Sequence, residues 1–372
     1  MKHIFLYVYA KSNLGDDLFI YTITRRYPKT KFYLWSDKQN KENFKRIKNL
    51  VVIDPNTPFI RMLQKIRPSL ELRYKTNLQQ RAQAVVYIGG SIFMEYTAWE
   101  NILSFWNFLA ESFPLYAIGC NFGPYQTEAY RERLSDAFAK MQDVCFRDTW
   151  SLAKFPGVNT VRYAPDILFS YPMPKVDKPE KNIFVSLINC NARGEGDKVS
   201  LKEYDSFYIE NLSHLLNEYL QNGYTVTLAS FCKKEGDENA VYKLRQKMDV
   251  SEMDIRVKNV FYDGKNVDEL TIAIARAESV IATRFHATIL ALAARRPVLP
   301  IVYSDKTLHV LEDVGFQGKV LDLRKVERIS FDEAQENFKN VTIPNMESLA
   351  KEAEKHFAKL DEILLHKRKD RR

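Results

Sequence analysis

Two charged side chains interrupt an otherwise apolar run, Ser279-Val-Ile-Ala-Thr-Arg284-Phe-His286-Ala-Thr-Ile-Leu-Ala-Leu-Ala-Ala294. The residues before Thr283 read as a buried strand and those after His286 as an apolar helix, so Arg284 and His286 fall on the strand-to-helix turn. A helix N-terminus offers N–H donors and partial positive charge, which suits an anion. A guanidinium adds bidentate recognition of phosphate or carboxylate. An imidazole adds a cation or a proton shuttle near neutral pH. The plainer alternative is an Arg284 paired with a carboxylate and a His286 that only caps or fills core. The next predicted strand, Pro297–Val302, runs into the loop Tyr303-Ser304-Asp305-Lys306-Thr307. There Lys306 would supply a second cation to the same pocket, unless it is a plain surface lysine.

The first predicted strand leads into Lys11-Ser12-Asn13-Leu14-Gly15-Asp16-Asp17. Gly15 permits a tight turn, and Asp16 has the chemistry of a helix N-cap. A second acid and Asn13 at the same edge suggest hydrogen bonding to a polyol, or a general base. An acidic loop repels phosphate, so this half is expected to bind a neutral partner. Gly89-Gly90-Ser91 ends the third predicted strand, where two glycines let a backbone approach a ligand or simply make a turn. Arg147 with Asp148, after another strand, reads as structural rather than catalytic.

Several motifs are absent. There is no Walker loop, no Gly-x-Gly-x-x-Gly after a strand and no Gly-x-Ser-x-Gly elbow. No His, Cys and carboxylate set shows metal-ligand spacing, and the four cysteines lack Cys-x-x-Cys spacing. Nucleotide hydrolysis, dehydrogenase chemistry and serine hydrolysis are disfavoured, and no metal or cofactor is expected.

The elements that position these loops alternate along all 372 residues. Short apolar runs such as Ile4–Tyr9, Ala84–Ile88, Asn182–Leu187 and Ser279–Ala282 alternate with amphipathic stretches such as Trp99–Glu111 and Lys202–Gln221. That alternation implies parallel sheets covered by helices. The proline-rich stretch Tyr171–Pro179 is the best linker. The expected division is 1–172, 180–344, and 345–372 as a C-terminal element, with Asn345–His366 as one long amphipathic helix before a basic tail. The fold class expected is α/β, two Rossmann-like domains facing across a cleft, the GT-B-like arrangement. Catalytic groups then belong on loops beyond the carboxyl ends of strands.

The ordered set Asn13-x-Gly15-Asp16-Asp17, Gly89-Gly90-Ser91, Ala117-Ile-Gly-Cys-Asn-Phe-Gly-Pro124, Arg147-Asp148-x-x-Ser151, Ala164-Pro-Asp166, Thr283-Arg-Phe-His-Ala287 and Tyr303-x-x-Lys306 resembles the polysaccharide pyruvyl transferase family over roughly residues 3–310. The family more often has a third glycine where Ser91 stands. The resemblance implies a GT-B-like fold and transfer of a pyruvyl group from phosphoenolpyruvate to a sugar, leaving a pyruvate ketal across two hydroxyls. Phosphoenolpyruvate would then be a co-substrate, bound by Arg284, His286 and Lys306. The neutral acceptor would meet Asn13, Gly15, Asp16, Asp17, Gly89, Gly90 and Ser91. The chemistry calls for an acid near C3 and a base near the hydroxyls. His286 is the candidate acid, with phosphate binding as its other role, and Asp16 or Asp17 is the candidate base.

Composition agrees with a soluble globular chain: 45% hydrophobic, 27% charged, and no apolar run near the ~20 residues that span a bilayer. The opening Met1–Ala10 reads as a buried strand rather than a signal peptide, which places the protein in the cytoplasm. The net charge of +8 invites nucleic acid, but much of the excess sits in the tail His366–Arg372 and the rest is spread out without an aromatic-interleaved stripe, so no nucleic-acid partner is expected. The tail suggests peripheral contact with the inner face of a membrane, in keeping with a lipid-linked oligosaccharide acceptor. The alternatives are a GT-B glycosyltransferase using a nucleotide sugar and a non-enzymatic polysaccharide-binding protein.

Overall fold

Runs such as Ile4-Phe5-Leu6 and Ala84-Val85-Val86 are buried throughout, as strands of a parallel sheet must be when helices cover both faces. A computed structural model describes residues 1–192, 200–251 and 253–365. The chain divides into two compact units, residues 1–10, 19–167 and 352 onward in one, and residues 11–18 and 168–351 in the other.

The first unit holds β1 (Lys2–Tyr7), β2 (Thr30–Trp35), β3 (Leu50–Ile53), β4 (Ala84–Ile88), β5 (Leu115–Cys120), β6 (Asp143–Phe146) and β7 (Val161–Tyr163). They form one parallel sheet of order β3-β2-β1-β4-β5-β6-β7. The loop at Gly89 therefore follows the fourth strand, because Leu50–Ile53 adds a short strand that the sequence pattern did not signal. An aromatic-rich core, with Phe93, Trp106, Phe138, Phe146 and Phe155 in contact, fills one face.

The second unit holds β8 (Glu180–Leu187), β9 (Thr225–Ser230), β10 (Val257–Phe261), β11 (Ala277–Ala282), β12 (Val298–Val302) and β13 (Leu321–Asp322), in the order β10-β9-β8-β11-β12-β13. All its described pairings are parallel. Both orders reverse once, between β1 and β4 and between β8 and β11. Ligands of open α/β sheets bind beyond the strand ends at such switch points.

The C-terminal element is not the single helix expected. Helices Met346–Ala353 and Ala358–Leu364 are separated by a 3₁₀ turn, Glu354–Phe357. Two successive side chains of this turn, His356 and Phe357, are both buried. His356 Nδ1 accepts from the Gly119 N–H at 3.2 Å and Nε2 lies 3.0 Å from the Pro165 carbonyl. Asp361 accepts from Tyr27 OH at 2.7 Å and from Arg26 through both oxygens. The basic tail at residues 366–372 lies outside the described residues.

Candidate active site

β11 delivers the Thr283-Arg284 turn to the switch point of the second sheet. The buried Ser186 hydroxyl on β8 accepts from the backbone N–H groups of Thr283 and Arg284, each at 3.2 Å. The helix Phe285–Ala293 starts at once. Arg284 itself is buried. Its Nε donates to Asp237 Oδ2 at 2.8 Å, its Nη2 to Asp237 Oδ1, and its Nη1 to Glu235 Oε2 at 2.6 Å. Burial opposes the guanidinium charge, but Asp237, Glu235 and nearby Tyr303 outweigh it and hold Arg284 protonated well above its ordinary range.

Asp237 is fully buried and does more than pair with Arg284. Its Oδ2 also accepts from the backbone N–H groups of Phe231 (3.3 Å) and Cys232 (2.9 Å), just past β9. One carboxylate thus ties the turn after β9 to the turn after β11. The expected cation at position 284 is therefore balanced by two carboxylates, so Arg284 supplies position and its remaining N–H donors more than net charge.

The acidic segment belongs to this same unit rather than to an opposite half. Asn13 forms an antiparallel bridge with Cys232, and the Leu14 N–H donates to the Phe231 carbonyl at 3.0 Å. The helix Leu14–Arg26 begins there. Asn13 Oδ1 accepts from the Gly15 N–H at 3.1 Å, and the Asn13 carbonyl accepts from the Asp17 N–H at 2.9 Å. Asn13 is thus the N-cap, and the expected cap, Asp16, lies within the first turn. Gly15 touches His286: a Cβ built on Gly15 would lie 1.7 Å from His286 Nδ1. His286 and Asp16 are both half-buried at this edge.

Asp17 points inward. It is fully buried, and its Oδ2 accepts from Tyr262 OH, just past β10, at 2.8 Å. Its Oδ1 is buried without a hydrogen-bond partner. Burial pushes this carboxyl well above the usual range against the Tyr262 hydrogen bond, and the Asp16 charge adds to the shift. Lys306 is half-buried in the first turn of the helix Asp305–Asp313, rather than on an open loop. Since β11 and β12 pair directly, the turns carrying Arg284 and Lys306 are neighbours.

Gly89, Gly90 and Ser91 sit at the switch point of the first unit. A Cβ on Gly90 would fall 2.7 Å from both terminal nitrogens of Arg147. This glycine accommodates a buried arginine, where the sequence suggested either an approaching ligand or a simple turn. Arg147 Nη1 donates to Asp166 Oδ2 at 3.1 Å and Nη2 to Asn121 Oδ1 at 2.7 Å, which agrees with a structural reading. Ser91 Oγ lies 3.3 Å from Asn121 Oδ1. The structure thus groups Asn13, Gly15, Asp16, Asp17, Arg284 and His286 in one unit, with Lys306 on the adjacent turn, and leaves Gly89, Gly90 and Ser91 in the other.

Sequence reasoning missed Glu235, Asp237 and Tyr262. The available signal was the charged run Lys233-Lys234-Glu235-Gly236-Asp237-Glu238 directly after the apolar β9. Among the described residues, no cluster of three or more His, Cys, Asp or Glu side chains is placed to hold a metal ion.

Two parallel-sheet α/β units with switch-point loops of this kind define a GT-B-like protein, and solved structures share the architecture. HepE from Anabaena, solved with UDP and glucose, is 14% identical with a TM-score of 0.53 over 98% of this chain and 95% of its own. The UDP-GlcNAc 2-epimerase of Neisseria meningitidis is 11% identical with a TM-score of 0.56 over 98% of this chain and all of its own. At such identity the likeness concerns the fold. Residues 13–305 match the polysaccharide pyruvyl transferase family, and the chain belongs to that family. Among curated relatives, the amylovoran biosynthesis protein AmsJ of Erwinia amylovora is 24% identical over 275 residues. That match spans 68% of this chain and 65% of AmsJ, a little under two thirds of the relative's length.

Proposed function

We propose that this chain transfers the pyruvyl group of phosphoenolpyruvate onto two hydroxyls of a sugar, forming a pyruvate ketal, in exopolysaccharide or cell-wall polysaccharide biosynthesis. Family membership supports the reaction class, and the AmsJ name supports the setting. The single observation that carries the reading is the contact of Gly15 with His286. It sets an acidic turn and an imidazole against each other at the switch point of one sheet.

One sugar hydroxyl adds to C2 of phosphoenolpyruvate while C3 takes a proton. The C2–O bond to phosphate then breaks with its electron pair leaving on phosphate. The second hydroxyl closes on C2 and loses its proton. His286 is assigned the proton delivered to C3, or else a grip on the phosphate. Asp16 is assigned the base, because Asp17 is sealed under Tyr262. Lys306 and the N-terminus of the helix Phe285–Ala293 face the anionic groups, and Arg284 holds that helix start in place. A positioned acid or base contributes roughly 10²- to 10⁴-fold.

The test is incubation with phosphoenolpyruvate and lipid-linked or nucleotide-linked sugars, following phosphate release and ketal formation together. Both products should appear in step. Binding of a nucleoside diphosphate with no phosphate released from phosphoenolpyruvate would overturn the reading in favour of a glycosyltransferase.

A further inference from the structure

Far from the candidate site in sequence, the first unit carries a helical hairpin made of Pro58–Ile66 and Pro68–Gln80. Phe59 packs edge-on against Tyr74 at 5.9 Å, and Gln64 Nε2 donates to Glu71 Oε2 at 2.6 Å, so the two helices run antiparallel. In the first helix Ile60 alone is buried. Phe59, Met62 and Ile66 recur at helical spacing on one face and are 53%, 48% and 68% exposed. Leu72, on the paired helix roughly opposite Met62, is 62% exposed. Single exposed apolar residues are ordinary, but an aligned strip is not.

Charge accompanies the strip. Across residues 58–81, Arg61, Lys65, Arg67, Arg73, Lys75 and Arg81 stand against one acid, Glu71, which Gln64 already engages. Lys75 lies over the rings of Tyr7 and Trp35 at 5.0 and 5.7 Å, while Arg61, Lys65, Arg67 and Arg73 are exposed. Protein interfaces are depleted in lysine and keep charge out of their apolar centre. Here basic and apolar side chains interleave, which is the pattern of a helix lying in a lipid interface.

We propose that the hairpin 58–80 docks on an anionic bilayer, with Phe59, Met62, Ile66 and Leu72 entering the acyl boundary and the exposed basic residues meeting lipid phosphates. The proposal is independent of the reaction assigned above. It rests on different residues from the basic tail.

The full chain is sedimented with vesicles of phosphatidylcholine alone and with vesicles containing roughly one third phosphatidylglycerol. Binding is expected on the anionic vesicles only, and should weaken as salt rises. Arg61→Gln/Lys65→Gln/Arg73→Gln should weaken it on the order of 100-fold, about fivefold per charge. Phe59→Ser/Ile66→Ser/Leu72→Ser should weaken it roughly tenfold or more with the charges intact. Circular dichroism confirms that each variant is folded. Absence of binding to anionic vesicles overturns the proposal. Undiminished binding by both variants also overturns it and assigns the contact to the tail. A concentration-dependent dimer that dissociates in the apolar variant, without vesicle binding, overturns it in favour of a second copy of this chain.

Discussion

The Gly15 backbone lies directly against the His286 imidazole, closely enough that a Cβ on Gly15 would be 1.7 Å from Nδ1 and 2.2 Å from Cγ. No relaxation of the backbone alone relieves such an overlap, so the ring must move. Gly15→Ala is expected to lower ketal formation by roughly 10²-fold or more while the protein stays folded. Normal turnover with an undisplaced imidazole would show that the contact is incidental.

His286→Gln keeps a hydrogen-bonding group of similar reach but removes the titratable proton. As the acid, His286 should be worth roughly two to four orders of magnitude in turnover, with an unchanged melting temperature. As a phosphate grip, its loss should weaken phosphoenolpyruvate affinity and leave the turnover of bound substrate less affected. Calorimetric titration, melting and phosphate release on the one variant separate these. Near-normal turnover and affinity would remove His286 from the mechanism.

Asp237 joins two turns through one buried carboxylate, so its effect should be structural first. Asp237→Asn leaves Arg284 underpaired in the interior, which costs about 3–5 kcal/mol for pairs of this kind. Arg284→Met strands Asp237 in the same way. The double variant should cost clearly less than the sum of the two, a deficit that urea unfolding measures as coupling. Additive losses would mean that the two side chains stabilise the fold independently.

The Asp17 carboxyl is held above its ordinary value of 3.8 by burial. Between that value and its raised folded value the native state binds more protons than the unfolded chain, so this group's contribution to stability falls as pH rises. Asp17→Asn abolishes the titration and keeps the shape. Melting temperatures of the two proteins should diverge in favour of the variant as pH increases above about 4. Parallel curves would show that Asp17 ionises freely.

His356 runs the other way. Burial, with a smaller contribution from Arg162, lowers its pKa from 6.5 to about 3. The neutral ring is satisfied by Gly119 and Pro165, so its contribution is intact above pH 6.5 and is lost as pH falls towards 3. Wild-type stability should decline through that window more steeply than that of His356→Gln, by about 1.4 kcal/mol per pH unit at most. Urea midpoints at several pH values test the difference, and equal slopes would contradict it.

The sheets were legible because strands buried on both faces read as plain apolar runs. Ala84–Ile88 begins and ends where the pattern suggests, and the strand read as Pro297–Val302 starts one residue later, at Val298. Leu50–Ile53 escaped because it is a four-residue edge strand, only half-buried. The hairpin 58–80 escaped because Pro68 divides it. Arg284 and His286 stood out as charges inside an apolar unit, yet their surroundings did not. Asp237 lies 47 residues from Arg284, and Tyr262 lies 245 from Asp17. Periodicity says which sheet edge a loop occupies. It does not say which loops meet there, nor that Asp16 stays half-buried while Asp17 is sealed in.

The placement of residues 11–18 with the second unit imposes an order of events on the newborn chain. The segment bearing Asn13, Gly15 and Asp17 is synthesised before its partner Tyr262, which Asp17 precedes by 245 residues. At about 5–20 residues per second, that segment waits roughly 12–50 s for it. Until then the Asp17 carboxyl has no interior to be buried in, and Gly15 has no imidazole beside it. The candidate site therefore cannot exist on a chain made only as far as residue 285, which also lacks β12 and β13.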